Sequence, residues 1–210
     1  MVQSPVPVFI VHRIAACAKI AGVLVMLAGI AGIVIMADRP SAASGQTGGG
    51  TQALTRLPDI FFVPTLYSVA DDMLKLAGVT ARDVVYDLGS GDGRILILAA
   101  QKYGARGVGV EIDHRLVELS RQIAREGEVA DRVTFIEGDL FEVDISPATV
   151  VTLYLSPTVN NRLEPKLRAQ LRPGTRIVSH QFGIGAWTPD KVIRAEDDRT
   201  ELFLWTMPSH

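Results

Sequence analysis

The sequence predicts an α/β domain: a doubly wound, mainly parallel seven-stranded sheet with an antiparallel C-terminal hairpin, preceded by one N-terminal transmembrane helix. Three observations carry that expectation. From residue 84 onward, short strand-like runs alternate with amphipathic segments, the pattern of strand–helix–strand units. The run Val84-Val85-Tyr86-Asp87-Leu88-Gly89-Ser90-Gly91-Asp92-Gly93-Arg94 drives an apolar strand directly into a glycine-dense turn and then a helix. Near the start, Ile20 to Ala37 is an uncharged, strongly apolar stretch.

Taken in order, residues 1–19 form an N-terminal segment and residues 20–37 the transmembrane helix, close to the roughly 20 residues a bilayer core requires. Arg13 and Lys19 precede this run and Ser41-Ala42-Ala43 follows it, so a cleaved secretory signal is the alternative reading. Residues 38–56, rich in Gly, Ser, Ala, Thr and Pro, read as a flexible linker. The folded domain is expected over residues 57–210. Phe61 to Thr65 is an apolar lead-in, and Ser68 to Ala77 has helical spacing with Gly78 as its stop.

Strands follow over Val84–Leu88, Gly107–Ile112, Arg132–Glu137, Val150–Leu155 and Arg176–His180. Helices are expected over Arg94–Tyr103, His114–Arg125 and Pro165–Leu171. Two late strands, Val192–Ala195 and Glu201–Thr206, make the hairpin, joined by Glu196 to Arg199.

Composition narrows the function. With 21 Lys+Arg against 23 Asp+Glu, the net charge of -2 lacks the basic surplus of a protein that grips nucleic acid by its phosphates, so no nucleic-acid partner is expected. Cys17 is the sole cysteine, and His12, His114, His180 and His210 are scattered without ligand spacing, so no metal centre is expected.

The chemistry concentrates in the glycine turn. Glycines allow a ligand to lie against backbone, and the helix that follows offers unpaired N–H groups. A dinucleotide fingerprint would require Gly or Ala at position 94, where this chain has Arg. Asp87 closes the strand instead; a carboxylate there repels a pyrophosphate but attracts the ammonium of a methionine moiety. The indicated cofactor is S-adenosylmethionine, with Asp87, Gly89, Ser90, Gly91 and Gly93 as binding residues. Glu111 ends the second strand, where an acid hydrogen-bonds ribose hydroxyls. Asp139 follows the third strand and is placed to accept from the adenine amino group.

Asp87 to Arg94, Glu111 and Asp139 resemble the cofactor motifs of class I S-adenosylmethionine-dependent methyltransferases, which have a Rossmann-like fold. Phe62-Val63-Pro64-Thr65, Leu163-Glu164, Lys166-Leu167, Pro173-Gly174, Arg176 to Ser179, Phe182 and Trp187 narrow the likeness. They resemble the membrane-anchored lysine methyltransferases of the ADP/ATP carrier and the ATP synthase c subunit. The resemblance covers about Phe61 to Pro189. It implies N-methylation of lysine side chains on a protein partner, an accessible lysine of a membrane protein included, and a pre-domain segment, Phe62 to Thr65, that folds over the cofactor. Pro165 stands where the family tends to have an acid.

Catalytic residues are not evident. Ser156, at the end of the fourth strand, is a candidate against the alternative of a plain turn. His180 reads as a candidate base or as a core histidine satisfied by hydrogen bonds. A lysine acceptor needs no dedicated base where desolvation lowers its pKa. Alternatives are a methyltransferase of lipids or small molecules and a non-catalytic cofactor-binding protein. The expected location is a membrane, crossed once, with the catalytic domain in the cytoplasm, where the cofactor is made.

Overall fold

The structure, a computed structural model, describes residues 62–197 and 199–209. The expected transmembrane helix, the expected linker and the first residues of the expected domain lie outside them. Among the described residues no helix is long and apolar enough to cross a membrane.

The alternation read from the sequence appears as α1 (Tyr67–Leu76), β1 (Val84–Leu88), α2 (Arg94–Tyr103), β2 (Arg106–Glu111), α3 (His114–Glu126), β3 (Val133–Glu137), β4 (Val150–Leu153), α4 (Pro157–Gln170), β5 (Arg176–His180), β6 (Lys191–Arg194) and β7 (Glu201–Thr206). The strands form one seven-stranded sheet in the order β3-β2-β1-β4-β5-β7-β6. The first five run parallel. The hairpin supplies the antiparallel edge, with β7 inserted between β5 and β6.

Side chains alternate across the sheet, and each face buries its own core. On one face Val85, Val150 and Val178 pack with buried residues of α1, α2 and α3, among them Met73, Leu96 and Val117. On the other, Leu88, Val151, Leu153 and Ile177 meet Leu163 and Leu167 of α4 and the indole of Trp205. At the amino end of the strands Asp83 ties three elements together: it pairs with Arg176 of β5 and accepts from Thr149 Oγ1 at 2.8 Å and from the Thr80 N–H at 2.8 Å. These bonds and the Arg176 charge hold its carboxyl below the usual range against the opposing effect of burial.

One element departs from expectation. The helix predicted over Pro165–Leu171 starts eight residues earlier, at Pro157. Ser156 caps it, its Oγ accepting the Val159 N–H at 3.3 Å, and Pro157 brings a φ already suited to a first helical turn. Pro165 therefore lies inside the helix. Its ring is on the exposed side, and so is Asn161, whose carbonyl lost its N–H partner and can turn to solvent. Pro165 is a tolerated interior residue and not a boundary.

Candidate functional site

With this strand order the chain changes direction between β1 and β4, and the connections leaving their carboxyl ends part to opposite faces. Such a switch point opens a crevice. Here it measures about 960 Å³ including its open mouth. Its floor is made by the ends of β1 and β2, its sides by the loops after β3 and β4, and its rim by the lead-in residues Phe62, Val63 and Thr65.

Asp87 sits at the switch point, buried to 3% exposure. The β1–β4 register sets it opposite Thr152, whose Oγ1 donates to Asp87 Oδ1 at 2.7 Å. Burial pushes the Asp87 carboxyl up to about 7; the Thr152 hydrogen bond opposes this, and the charges of Glu111 and Asp92 reinforce it.

The turn after β1 is lashed to β2. The N–H groups of Gly89 and Ser90 both donate to the Val110 carbonyl, at 2.8 and 3.0 Å. The Gly91 N–H donates to Glu111 Oε2 at 2.9 Å, while Glu111 Oε1 takes the N–H groups of Ile112 and Asp113 at 2.8 and 3.0 Å. Gly91 has φ +53, and a Cβ there would land on the Phe62 ring, so the turn and the lead-in are in direct contact. Gly109 of β2 serves differently: a Cβ on it would stand 2.6 Å from Ser90 Oγ, so glycine there makes room for the turn.

The structure brings Asp87, Gly89, Ser90, Glu111 and Asp139 to one crevice. Gly91 and Gly93 shape the turn without lining the crevice: Phe62 covers one and Phe135 the other. Asp139 Oδ1 accepts the Phe141 N–H at 2.9 Å, which sets the carboxylate at the mouth of the β3 loop. The Ser90 hydroxyl is buried in the crevice wall without a hydrogen-bond partner, a state that a ligand with polar groups would relieve. Ser156, the catalytic candidate, is the cap of α4 and is not part of the lining. His180 is buried behind the lining, its ring stacked on Tyr154 with centroids 3.7 Å apart.

Three contributors escaped sequence reasoning. Thr152 and Tyr154 are polar interruptions in the apolar run from Val150 to Leu155, and that interruption is their signal in the sequence. Arg94 stands in the sequence as a departure from a dinucleotide motif and as the last residue of the glycine-rich run, with no role of its own. Its guanidinium pairs with Asp92 at 2.5 Å, donates to the Thr65 carbonyl at 2.8 Å and lies 5.2 Å from the centre of the Tyr67 ring. It thereby fastens the lead-in to the glycine turn, a role that spacing in the sequence does not reveal. Among the described residues there is no cluster of His, Cys, Asp or Glu suited to a metal ion.

Fold and crevice together define an S-adenosylmethionine-dependent methyltransferase: the buried acid, the unsatisfied hydroxyl and the acids at successive strand ends suit a nucleoside bearing positive charge. Residues 87–191 match the ANTKMT methyltransferase domain. The chain is 45% identical over 161 residues to a protein-lysine N-methyltransferase of Saccharolobus islandicus (strain REY15A), covering 75% of this chain and 99% of the relative. It is 38% identical over 125 residues to the adenine nucleotide translocase lysine N-methyltransferase of Mus musculus, covering 59% of this chain and 52% of that protein. The chain thus spans about half the length of the mouse relative. A crystal structure of an RNA methyltransferase from Salinibacter ruber, in complex with S-adenosyl-L-homocysteine, is 56% identical, with a TM-score of 0.68 over 70% of this chain and 95% of that one. This chain belongs to the ANTKMT methyltransferase domain family. The resemblance drawn from its motifs is borne out.

Proposed function

We propose that this protein N-methylates lysine side chains of a protein substrate. The observation that carries this reading is the 45% identity with an archaeal protein-lysine N-methyltransferase along nearly the whole of that relative. In this reading Asp87 attracts the ammonium of S-adenosylmethionine, Gly89 and Ser90 face its methionine portion, and Gly91 and Gly93 shape the turn beneath it. Glu111 takes the ribose hydroxyls and Asp139 the adenine amino group. S-adenosylmethionine, held by these residues, would supply an electrophilic methyl, which the amine nitrogen would take with its lone pair while the C–S pair stays on sulfur and an amine proton leaves to solvent. The protein's part is to align the amine and exclude water. Phe62 and Val63 at the rim and Leu155 opposite supply apolar walls, which favour a neutral, nucleophilic lysine.

The apolar run of residues 20–37 supports a membrane tether that would confine the enzyme to membrane-embedded substrates, with its catalytic domain on the cytoplasmic side. Carbonate extraction of the full chain tests this; release into the soluble fraction refutes it.

One observation favours a second reading, methylation of RNA: the Salinibacter protein, 56% identical to this chain, is an RNA methyltransferase by name. The experiment is incubation of the full chain with methyl-labelled S-adenosylmethionine and, separately, membrane protein, soluble protein and total RNA. Methyllysine in protein hydrolysates is the expected result. Label confined to RNA overturns the reading.

A further inference from the structure

The crevice has two ends. By the strand order Glu111 and Asp139 stand at the ends of β2 and β3 on one side of Asp87, while Tyr154, at the end of β4, stands on the other, toward which Asp87 pairs with Thr152 and where Thr65 backs the wall through His180. An amine that attacks a methyl group held near Asp87 has to approach along that second end.

Tyr154 is unusually well supported there. Leu153 pairs with Ser179 in the parallel register, so the next residues, Tyr154 and His180, emerge side by side from the ends of β4 and β5. Their rings stack with centroids 3.7 Å apart and planes 21° from parallel. Behind the stack, His180 Nδ1 is hydrogen-bonded to Thr65 Oγ1 at 3.3 Å, both groups buried. Burial pushes the imidazole down to about 4, against the opposing charge of Asp197, so it is neutral and places no positive charge beside an incoming ammonium.

The chain after His180 is held just as firmly. Gln181 adopts φ 68, an unfavourable conformation for a residue with a side chain. The following turn is pinned from beneath: Ser179 Oγ donates to the Phe182 carbonyl at 2.6 Å, and the buried Asn160 Nδ2 donates to the carbonyls of Phe182 and Gly183 at 3.3 and 3.1 Å. Strain of that kind persists where the surroundings over-determine it. Here they determine the position of a ring that does not itself reach the crevice.

We propose that Tyr154 is the seat of the acceptor amine: the part of its ring that His180 leaves uncovered receives the alkylammonium end of the substrate lysine, and His180, anchored by Thr65, is the positioning residue that fixes the ring. The proposal rests on the lysine reading above. An aromatic face attracts alkylammonium groups and binds their methylated forms as well, so the lysine is seated as ammonium and gives up its proton to solvent before its lone pair attacks. Because Thr65 belongs to the lead-in, the seat is complete only when that segment lies over the crevice.

The test uses the purified full chain and two cofactor analogues in which nitrogen replaces sulfur. One carries a 2-(butylamino)ethyl arm in place of the methyl, the other the all-carbon heptyl arm. Calorimetry should show the wild type preferring the amine arm by about tenfold, the range a desolvated cation–π contact supports. Tyr154→Leu, which keeps bulk beside His180, should lose this preference, and Tyr154→Phe should keep most of it. His180→Ala should weaken the preference about threefold, within the same range, with His180→Phe restoring it through the stack. S-adenosylhomocysteine affinity, measured on each variant, normalises the two analogues for any general change in the crevice, so that only their ratio is read. If the wild type discriminates and Tyr154→Leu discriminates equally, the seat is elsewhere although the amine reading stands. If the wild type itself shows no preference, the seat fails, while methyllysine in the labelling experiment separately decides the lysine reading.

Discussion

Asp87 makes a quantitative demand on the cofactor. Its carboxyl is raised to about 7 in the folded protein, so below that pH it carries a proton that a cationic ligand must displace. Affinity for S-adenosylmethionine should therefore fall roughly tenfold per pH unit below 7, since each unit of proton competition is a factor of ten. Calorimetry from pH 5.5 to 8.5 measures the slope, and Asp87→Asn should bind weakly and flatten it. The sign for stability is opposite. A carboxyl raised on folding supports the folded state fully below its unfolded pKa and withdraws that support as pH climbs from about 4 to about 7. The ligand-free Asp87→Asn protein should thus melt higher than wild type at pH 8. Gly109 offers a second test at this scale. Gly109→Ala sets a methyl 2.6 Å from Ser90 Oγ and should cost about 1–3 kcal/mol by overpacking, visible in urea titration. The acids were legible from sequence because strand ends and carboxylates are both local signals. Thr152 and Tyr154 show in the sequence only as polar breaks in an apolar strand; what they face depends on which strands lie side by side, and sequence order gives no direct reading of that.

At the level of elements, α4 separates a structural role from a chemical one. Ser156→Ala removes the cap bond to Val159 and should cost about 1 kcal/mol of stability, yet leave methyl transfer to protein within about twofold, since Ser156 lies outside the crevice lining. A collapse of turnover in a folded Ser156→Ala protein would restore it as a catalyst. The boundary of this helix was misread because Pro165 obeys a local rule that tertiary placement relaxes: on an exposed helical face the lost hydrogen bond is cheaply replaced. The glycine turn shows the opposite case, where local sequence was sufficient. Three closely spaced glycines after an apolar strand left little choice of conformation, and the register of β1 against β2 and β4 fixed the rest.

For the whole molecule, the alternation of runs was enough to give the layers, while the order of strands had to be seen. The sequence predicts the hairpin, but not that its second strand lies inside, against β5, with the first at the edge. Trp205 shows what hangs on it. Its indole is buried at 1% exposure and its Nε1 donates to the Trp187 carbonyl at 3.0 Å. Trp205→Ala should cost about 3–5 kcal/mol, enough to unfold a domain of ordinary stability, and urea midpoints with and without S-adenosylhomocysteine would measure it. The placing of β7 also governs how the protein comes into being. As the chain leaves the ribosome, β6 is complete before the strand it bonds to has been translated, and β5 offers an open edge meanwhile. β7, the last of the seven strands in sequence, bonds on both sides, to β5 and to β6, so this edge of the sheet is closed only once β7 has been made, and a premature stop near residue 200 would leave the β5 edge open to wrong partners.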